Sequence, residues 1–505
     1  MSISLDTVIL SVPITNPTPA VAPVLLSACL NRGGVSAKGI DFGVEFFKFF
    51  IKKPYWKDIK TQFTLGHVTD NNLPKRAIID ILKFNKQFLT DIKNKYNPKS
   101  IGLSIFSVES INYSYILIYS IRKYLPGVKI VLGGKGVELV CSHRKKRHAD
   151  IYYENGLADL VVLGDCEHVI VDVFKNNKYG IYTSPQQTVE DLDARPLPSW
   201  DEYDLEQYRE IDSGLLERPY IVVSASKGCV RKCTFCDVAS FWPKYVYRNP
   251  ENVAREIITA YEKTGIDHFI FSDNLINGSV SHYRKLNEIL AKEIPNTIRY
   301  GGYAIFRDKR YMPAEDFELA KLAGCEWWGI GVESGSERLR FEMGKKITDD
   351  DLDWSVHHLL KNNIKQKWLL MVGYPSETDQ DFKLTLNLLE RYAEYASTGM
   401  IEISSNPTFM LLNNSPIMQN EKIREDLGLT HNLENEWSDK FWTSTKYPDN
   451  IFPLRAERWR ILIDTIKLLN YPWNHLGSYE AYVEEVHTME KFYEERPKVI
   501  PITKI

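Results

Sequence analysis

From Tyr220 onward the chain alternates short apolar, β-branched runs with helical patterns, and this regularity limits the folds open to it. Six such runs occur, near 220–226, 267–273, 297–305, 327–333, 366–373 and 400–405. Helical stretches such as Pro250 to Thr264 and Asp379 to Tyr395 lie between them. Strands that alternate with helices must pair in parallel, because each return path is a helix. Six sequential units describe an open, partial (β/α)6 barrel of TIM type, in which chemistry collects at the C-terminal ends of the strands.

The first of these runs leads directly into Cys229-Val-Arg-Lys-Cys233-Thr-Phe-Cys236. Three thiolates at this spacing can each hold one iron of a [4Fe–4S] cube, and no fourth cysteine lies nearby. The fourth iron is then open to substrate or cofactor. A structural zinc site would want four ligands. The nearest downstream candidates, His268 and Cys325, fall respectively near the start of a strand and on the barrel face opposite the strand ends. A disulfide framework does not suit 7 cysteines in 505 residues.

The first ~185 residues carry the same alternation in a different arrangement. Strands are expected at Thr7-Val-Ile-Leu-Ser-Val-Pro-Ile, Ser100-Ile-Gly-Leu-Ser-Ile-Phe-Ser, Lys129-Ile-Val-Leu and Asp159-Leu-Val-Val-Leu. Helices are expected at Ala20 to Leu30, near Tyr113 to Tyr124, and from His168 to Lys175. This pattern reads as a Rossmann-like doubly wound sheet over residues 1–185. Residues 186–218, with Asp191-Leu-Asp-Ala-Arg-Pro-Leu-Pro-Ser-Trp-Asp, read as a linker. The barrel follows over 219–412, and residues 413–505 read as a helical region that shapes a substrate pocket. Its Trp437, Trp442, Trp459 and Trp473 read mostly as packing residues.

Composition excludes little. The chain is 44% hydrophobic and 26% charged, with a net charge of −3, which leaves no footprint for nonspecific nucleic-acid binding. No apolar run approaches the ~20 residues of a membrane span, and no signal peptide is evident. Free cysteines and an oxygen-sensitive cluster point to a reducing cytoplasm. Two segments invite functional readings. Phe46-Phe-Lys-Phe-Phe-Ile-Lys-Lys-Pro-Tyr-Trp is read as a packed helix and turn rather than a membrane-surface or lid element. His143-Arg-Lys-Lys-Arg-His148 is read as a solvated helix end rather than a phosphate or nucleic-acid site.

The CxxxCxΦC pattern with Phe235 resembles the signature of the radical S-adenosylmethionine enzymes. Later segments stand in register with it. Gly324-Cys-Glu-Trp-Trp-Gly-Ile-Gly-Val-Glu333-Ser334-Gly-Ser resembles the family's G-C-x-x-x-x-x-G-x-E-S-G-S stretch. Gly373-Tyr-Pro375-Ser-Glu-Thr378 resembles G-x-P-G-E-T, with Ser376 where glycine is usual. The resemblance implies cluster ligation by Cys229, Cys233 and Cys236. It implies contact with S-adenosylmethionine by Phe235 beside the adenine, Glu333 and Ser334 at the ribose, and the Gly373–Pro375 backbone. The resemblance also implies a polar contact from Asp273 to the amino-acid part, although the family's Gly-Gly-Glu form is absent, and places Arg307 facing the cofactor carboxylate or solvent.

The N-terminal layer extends the likeness to members with a cobalamin-binding domain, over residues ~7–410. Its pieces are the Ile105-Phe-Ser turn, Gly133-Gly134, Gly164-Asp-Cys-Glu167 and Asp193-Ala-Arg-Pro-Leu-Pro. Ser104, Ser107, Gly133 and Gly134 become the cobalamin-site candidates. There is no Asp-x-His-x-x-Gly, so no histidine is offered as a lower axial ligand. That agrees with members that bind cobalamin without one, and equally with a domain that has lost it.

The implied activity is reductive cleavage of S-adenosylmethionine to a 5′-deoxyadenosyl radical, with electrons from flavodoxin or ferredoxin. Cobalamin-dependent C-methylation of an unactivated carbon in a small molecule or peptide is the leading outcome. A radical rearrangement or oxidation, with or without cobalamin, is the main variant. A methylthiotransferase acting on tRNA or protein would need a second cluster, for which Cys29, Cys141 and Cys166 are ill suited. A non-catalytic iron–sulfur protein would have no need of the Glu333-Ser334 and Gly373–Pro375 segments.

Overall fold

The computed structural model describes residues 4–14, 18–65, 73–141, 146–210, 218–405, 408–430 and 440–473, with isolated helical positions between 483 and 494. Trp437 and residues 143–145 of the basic run lie outside the described residues. The chain divides into two compact units, one of Met1–Val222 with Arg255–His268 and one of Val223–Ala254 with Phe269–Ile505.

In the first unit, strands β1 (Thr7–Ser11), β2 (Ala37–Ile40), β3 (Ser100–Ser104), β4 (Lys129–Gly133), β5 (Leu160–Leu163) and β6 (Gly180–Thr183) form one sheet. Their order is β2-β1-β3-β4-β5-β6, with every pairing parallel. The order reverses direction between β1 and β3, and ligands of doubly wound sheets settle at such a switch point. The short strands β2 and β6 are edge elements that the sequence pattern did not announce.

Both faces of the sheet are covered, which is why its strands read as continuous apolar runs. Val8, Leu10, Ile101, Leu103, Ile130 and Leu132 pack with Phe42, Phe46 and Tyr113 from α2 (Phe42–Phe50) and α4 (Val108–Tyr124). Ile9 points the other way, against Leu25, Cys29 and Leu30 of α1 (Val21–Arg32). The aromatic segment at 46–56 is thus a core helix and a turn. A 22-residue helix, α3 (Lys75–Tyr96), adds to the same layer. The described part of the basic run is neutralised locally, Lys146 by Glu154 and Arg147 by Asp150. Short helical pieces at Val189–Ala194, Trp200–Glu202 and Leu205–Glu210 occupy the proline-rich stretch.

The second sheet contains β7 (Ile221–Val223), β8 (His268–Phe271), β9 (Arg299–Ala304), β10 (Cys325–Glu333), β11 (Lys365–Leu370) and β12 (Ile401–Ser405). Its strand order follows the chain from β7 to β12, as an open barrel of sequential βα units requires. Between the strands run α5 (Pro250–Thr264), α6 (Val280–Glu293), α7 (Ala314–Leu322), α8 (Glu337–Glu342), α9 (Asp349–Lys361) and α10 (Asp379–Arg391). Cys325 is the first residue of β10 and Glu333 its last, which separates them by the length of the strand. The C-terminal region contributes α11 (Phe452–Leu468) and a two-stranded ladder that pairs Leu429–Thr430 with Thr443–Ser444. Trp442 and Trp459 are fully buried.

Candidate active site at the strand ends of the barrel

The cysteine loop leaves β7 and is pinned from several sides. Asp273, just past β8, is buried, and its carboxylate accepts hydrogen bonds from Ala225 N (2.9 Å) and Ser226 Oγ (2.5 Å). Asn274 Nδ2 donates to Gly228 O at 3.2 Å. Asp273 therefore serves the entry to the loop. Further on, Thr234 N donates to Met343 O (2.9 Å), Ile417 N donates to Thr234 O (2.7 Å), and the Thr234 and Tyr374 hydroxyls lie 2.9 Å apart. The backbone between Cys233 and Phe235 is thereby fixed by three separate segments.

Burial pushes the Cys233 thiol up to about 12, and the charges of Lys345, Cys236, Glu333 and Cys229 also reach it. Burial also raises the Cys236 thiol. Thiols whose pKa is raised by burial stay protonated until metal displaces the proton. Among the described residues no three His, Cys, Asp or Glu side chains converge on a single metal ion. A cube suits the same thiols, because each binds its own iron and they need not meet at one point. The donor set of three cysteines fits a [4Fe–4S] cluster with one open iron.

Beside the cysteines lies a buried ion pair that motif spacing did not reveal. Lys345 Nζ is 2.6 Å from Glu333 Oε1 and 5.7 Å from the Phe235 ring centroid. Burial by itself would lower the Lys345 pKa, but Glu333 and Cys233 more than offset it and hold the ammonium above its ordinary range. Both head groups lie over Gly331, where a side chain would collide with them. Glu333 itself adopts a left-handed backbone, φ 65°, which is costly for a residue with a Cβ and is found where surrounding structure enforces it. Ser334 is buried, in contact with the Thr385 hydroxyl at 3.2 Å and accepting Ser336 N at 3.1 Å. Its hydroxyl works inside the protein.

The turn after β11 is braced from the C-terminal region. Gly373, at φ +84°, sits against the Arg455 stem, with no room for a Cβ. Gly373 N donates to Glu377 Oε2 at 2.8 Å, and Arg458 Nη1 is 3.0 Å from the same carboxylate oxygen. Asn450 Nδ2 donates to the carbonyls of Tyr374 (2.8 Å) and Pro375 (3.1 Å). Thr378 caps α10 in a reciprocal box with Asp381.

At the other flank stand two arginines. Arg307 Nη2 donates to Asn277 O (2.9 Å) and Gly278 O (2.7 Å). Burial lowers the Arg307 pKa, and the nearby Arg231 guanidinium adds to the effect, against Tyr245 and Cys229.

In the first unit, the strand ends at β3 and β4 bring Ser104, Ser107, Gly133 and Gly134 to one edge. Ser107 caps α4 in a box with Ser110. Ile105 N donates to Gly133 O (2.8 Å), and Gly134, at φ +99°, passes so close to Ile105 O that only glycine fits. Phe106, 65% exposed, stands at the same edge with exposed Val108. The end of β1 is closed instead by buried Asp41, which accepts Ser11 Oγ at 2.5 Å and the Tyr208 hydroxyl.

Residues 223–389 match the model of the Radical SAM superfamily. A cytidylyl-2-hydroxyethylphosphonate methyltransferase of Streptomyces wedmorensis is 31% identical over 163 residues, which is 31% of this chain and 29% of that protein. This chain thus aligns with under a third of that relative's length. The radical S-adenosylmethionine methyltransferase TsrM of Kitasatospora setae superposes with a TM-score of 0.61 at 14% identity, over 97% of this chain and all of that one. The cobalamin-dependent S-adenosylmethionine radical enzyme OxsB superposes at 0.63 and 16% identity, over 97% of this chain and 71% of its own. Among the described residues no helix is long and apolar enough to cross a membrane. Residues 223–389 form a domain of the Radical SAM superfamily, and the chain has the fold of TsrM and OxsB over nearly its whole length.

Proposed function

We propose that this chain is a cobalamin-dependent radical S-adenosylmethionine methyltransferase that methylates an unactivated carbon of a small molecule or peptide. The observation that carries the reading is the presence, in one chain, of the three-thiol loop at the barrel's strand ends and a β2-β1-β3-β4-β5-β6 sheet. TsrM, which shares the fold, has been solved with cobalamin and a [4Fe–4S] cluster bound.

Cys229, Cys233 and Cys236 would hold the cluster. Lys345 supplies a fixed positive charge beside it, and Glu333 keeps that charge in place. Phe235, Glu333 and the Gly373–Pro375 turn offer the surfaces against which S-adenosylmethionine is oriented; Asp273 and Ser334 act through the backbone they position. Arg307 would face the carboxylate of S-adenosylmethionine. Cobalamin would lie at the β3–β4 edge, by Ser104, Ser107, Gly133 and Gly134. Exposed Phe106 offers an apolar face there. When bound, these cofactors supply one electron to the sulfonium and a methyl group for transfer. The protein's part is to position them and exclude water. The reductant is of flavodoxin or ferredoxin type, and a reducing cytoplasm suits the seven free cysteines.

The methylthiotransferase alternative is less well supported. Cys29 is packed among Leu25, Leu30 and Val35, and burial pushes its thiol up to about 12, which suits a core residue rather than a second cluster's ligand.

Anaerobic reconstitution with cobalamin supplied tests the proposal. Near-stoichiometric cobalamin beside about four irons per chain is expected, with methyl transfer from labelled S-adenosylmethionine. Undiminished turnover after all three motif cysteines are changed to alanine would sink it, as would a loaded cluster with no cobalamin.

A further inference from the structure

The inward face of the barrel sheet carries charge where barrel interiors are ordinarily filled by branched apolar side chains. Successive strand residues point to opposite faces. Trp328 packs outward on Tyr283 of α6 and Phe317 of α7, and Trp368 packs on Tyr392 after α10. Trp327, Gly329 and Gly331 of β10 therefore face inward, and the Glu333 and Lys345 head groups lie over Gly331. The parallel register sets Tyr303, Gly329, Lys367 and Glu402 side by side across β9 to β12, in one inward layer. That layer lies two residues, about 7 Å, from Gly331 along the strand.

Tyr303 covers Gly329 and Trp327 covers Gly301, at 2.7 Å and 2.2 Å from where a Cβ would stand. Tyr303 is nonetheless 49% exposed. Lys367 Nζ stands 4.9 Å from the Trp327 ring centroid and 3.9 Å from Glu402 Oε1, too far for a hydrogen bond. The Lys367 and Glu402 side chains are only 22% and 20% exposed. Burial raises the Glu402 carboxyl above its ordinary range against the pull of Lys367 and Lys365, so the lysines do not compensate it in full. A cation and an anion held side by side without bonding each other match a ligand that carries both signs on neighbouring atoms. An α-amino acid does so, its carboxylate meeting Lys367 and its ammonium meeting Glu402 through charge-assisted hydrogen bonds. A phosphate would be repelled by Glu402, and a simple amine by Lys367. The two rings beside the pair suit an aromatic side chain, which gains from offset or edge contact with them.

We propose that Tyr303, Trp327, Lys367 and Glu402 form a substrate pocket for a free aromatic α-amino acid, held by its head group with its side chain directed along β10 toward the strand ends. The inference rests on the methyltransferase reading in naming that ligand as substrate, and it narrows the substrate class. An internal peptide residue, which carries neither charge, does not fit.

The probes are L-phenylalanine, L-tyrosine and L-tryptophan, titrated calorimetrically into the protein loaded with cluster, cobalamin and S-adenosylmethionine. Saturable binding of at least one is expected, at least tenfold tighter than its analogues that lack the ammonium or the carboxylate. Glu402→Gln should weaken the amino acid at least tenfold and bring the analogue without an ammonium to within threefold of it. Lys367→Met should do the same for the analogue without a carboxylate, and Tyr303→Leu should weaken all three alike. Damage to the fold does not produce such opposite selectivities, and S-adenosylmethionine affinity should stay within twofold throughout. No binding of any of the three in the unaltered protein, an analogue that binds as tightly as its parent, or unchanged selectivity in Glu402→Gln would overturn the pocket. Displacement of S-adenosylmethionine by the amino acid would also overturn it, assigning the binding to the cofactor's methionine site. Normal iron and cobalamin content without amino-acid binding sinks this inference alone. Amino-acid binding by protein that takes up no cobalamin would sink the methyltransferase reading and leave the pocket standing.

Discussion

Lys345 and Glu333 meet at 2.6 Å, twelve residues apart in sequence, with Glu333 buried and the Lys345 side chain 14% exposed. Glu333 reaches this position only through a left-handed backbone at the end of β10. Removing one partner of a buried pair leaves the other uncompensated, at a cost of roughly 3–5 kcal/mol. Lys345→Met should therefore destabilise the protein on that scale in denaturant unfolding and weaken S-adenosylmethionine binding by at least tenfold. The double variant with Glu333→Gln should recover most of the stability and none of the affinity. A single variant as stable as the parent would show that the pair contributes nothing to the fold.

Glu377 sets a pH dependence. Burial, opposed by Arg458 and the Gly373 N–H, pushes its pKa up from 4.5 to about 7. In that interval the unfolded chain has released the proton and the folded chain retains it, so stability falls as pH rises from about 4.5 to about 7. The slope approaches about 1.4 kcal/mol per pH unit and sums to about 3 kcal/mol. Unfolding free energies measured across this window should show that decline, and Glu377→Gln should remove it. A slope unchanged in the variant would assign the dependence to another group.

Asn450 links the C-terminal region to the turn after β11. Asn450→Leu leaves the Tyr374 and Pro375 carbonyls without their donor, at about 1–3 kcal/mol each. Stability should drop by about 2–6 kcal/mol, and S-adenosylmethionine should bind less tightly, while iron content stays at the parent level. Loss of iron in a folded variant would mean that the brace reaches the cluster loop as well.

Asp273 separates a positioning role from direct cofactor contact. Both of its oxygens accept donors from the residues that lead into the cysteine loop. Asp273→Asn keeps one acceptor and the shape, and should slow cluster reconstitution and lower the melting temperature. S-adenosylmethionine affinity per loaded cluster should change by less than threefold. A larger loss in fully loaded protein would restore Asp273 to the cofactor's polar contacts.

Much of this protein is legible in its sequence because the signals are local. The Cys229–Cys236 spacing, the six barrel strands, the α5 span Pro250–Thr264 and the Thr378–Asp381 cap all depend on residues a few positions apart. The edge strands β2 and β6 escaped notice because glycine and polar residues break their apolar runs, Ala-Lys-Gly-Ile and Gly-Ile-Tyr-Thr, whereas the equally short β5 is continuous Leu-Val-Val-Leu.

Sequence alone determined the two α/β layers, the three-thiol loop and the motifs at the strand ends, since periodicity and ligand spacing follow from the order of side chains. Tertiary structure decided which of those side chains are free to meet a ligand. It turned Asp273 and Ser334 inward to hold backbone, and set Lys345 against Glu333. It braced the Gly373–Pro375 turn with Asn450 and Arg455, some 80 residues downstream. Those pairings join segments far apart in the chain, and burial fixes their energies, so no local pattern records them.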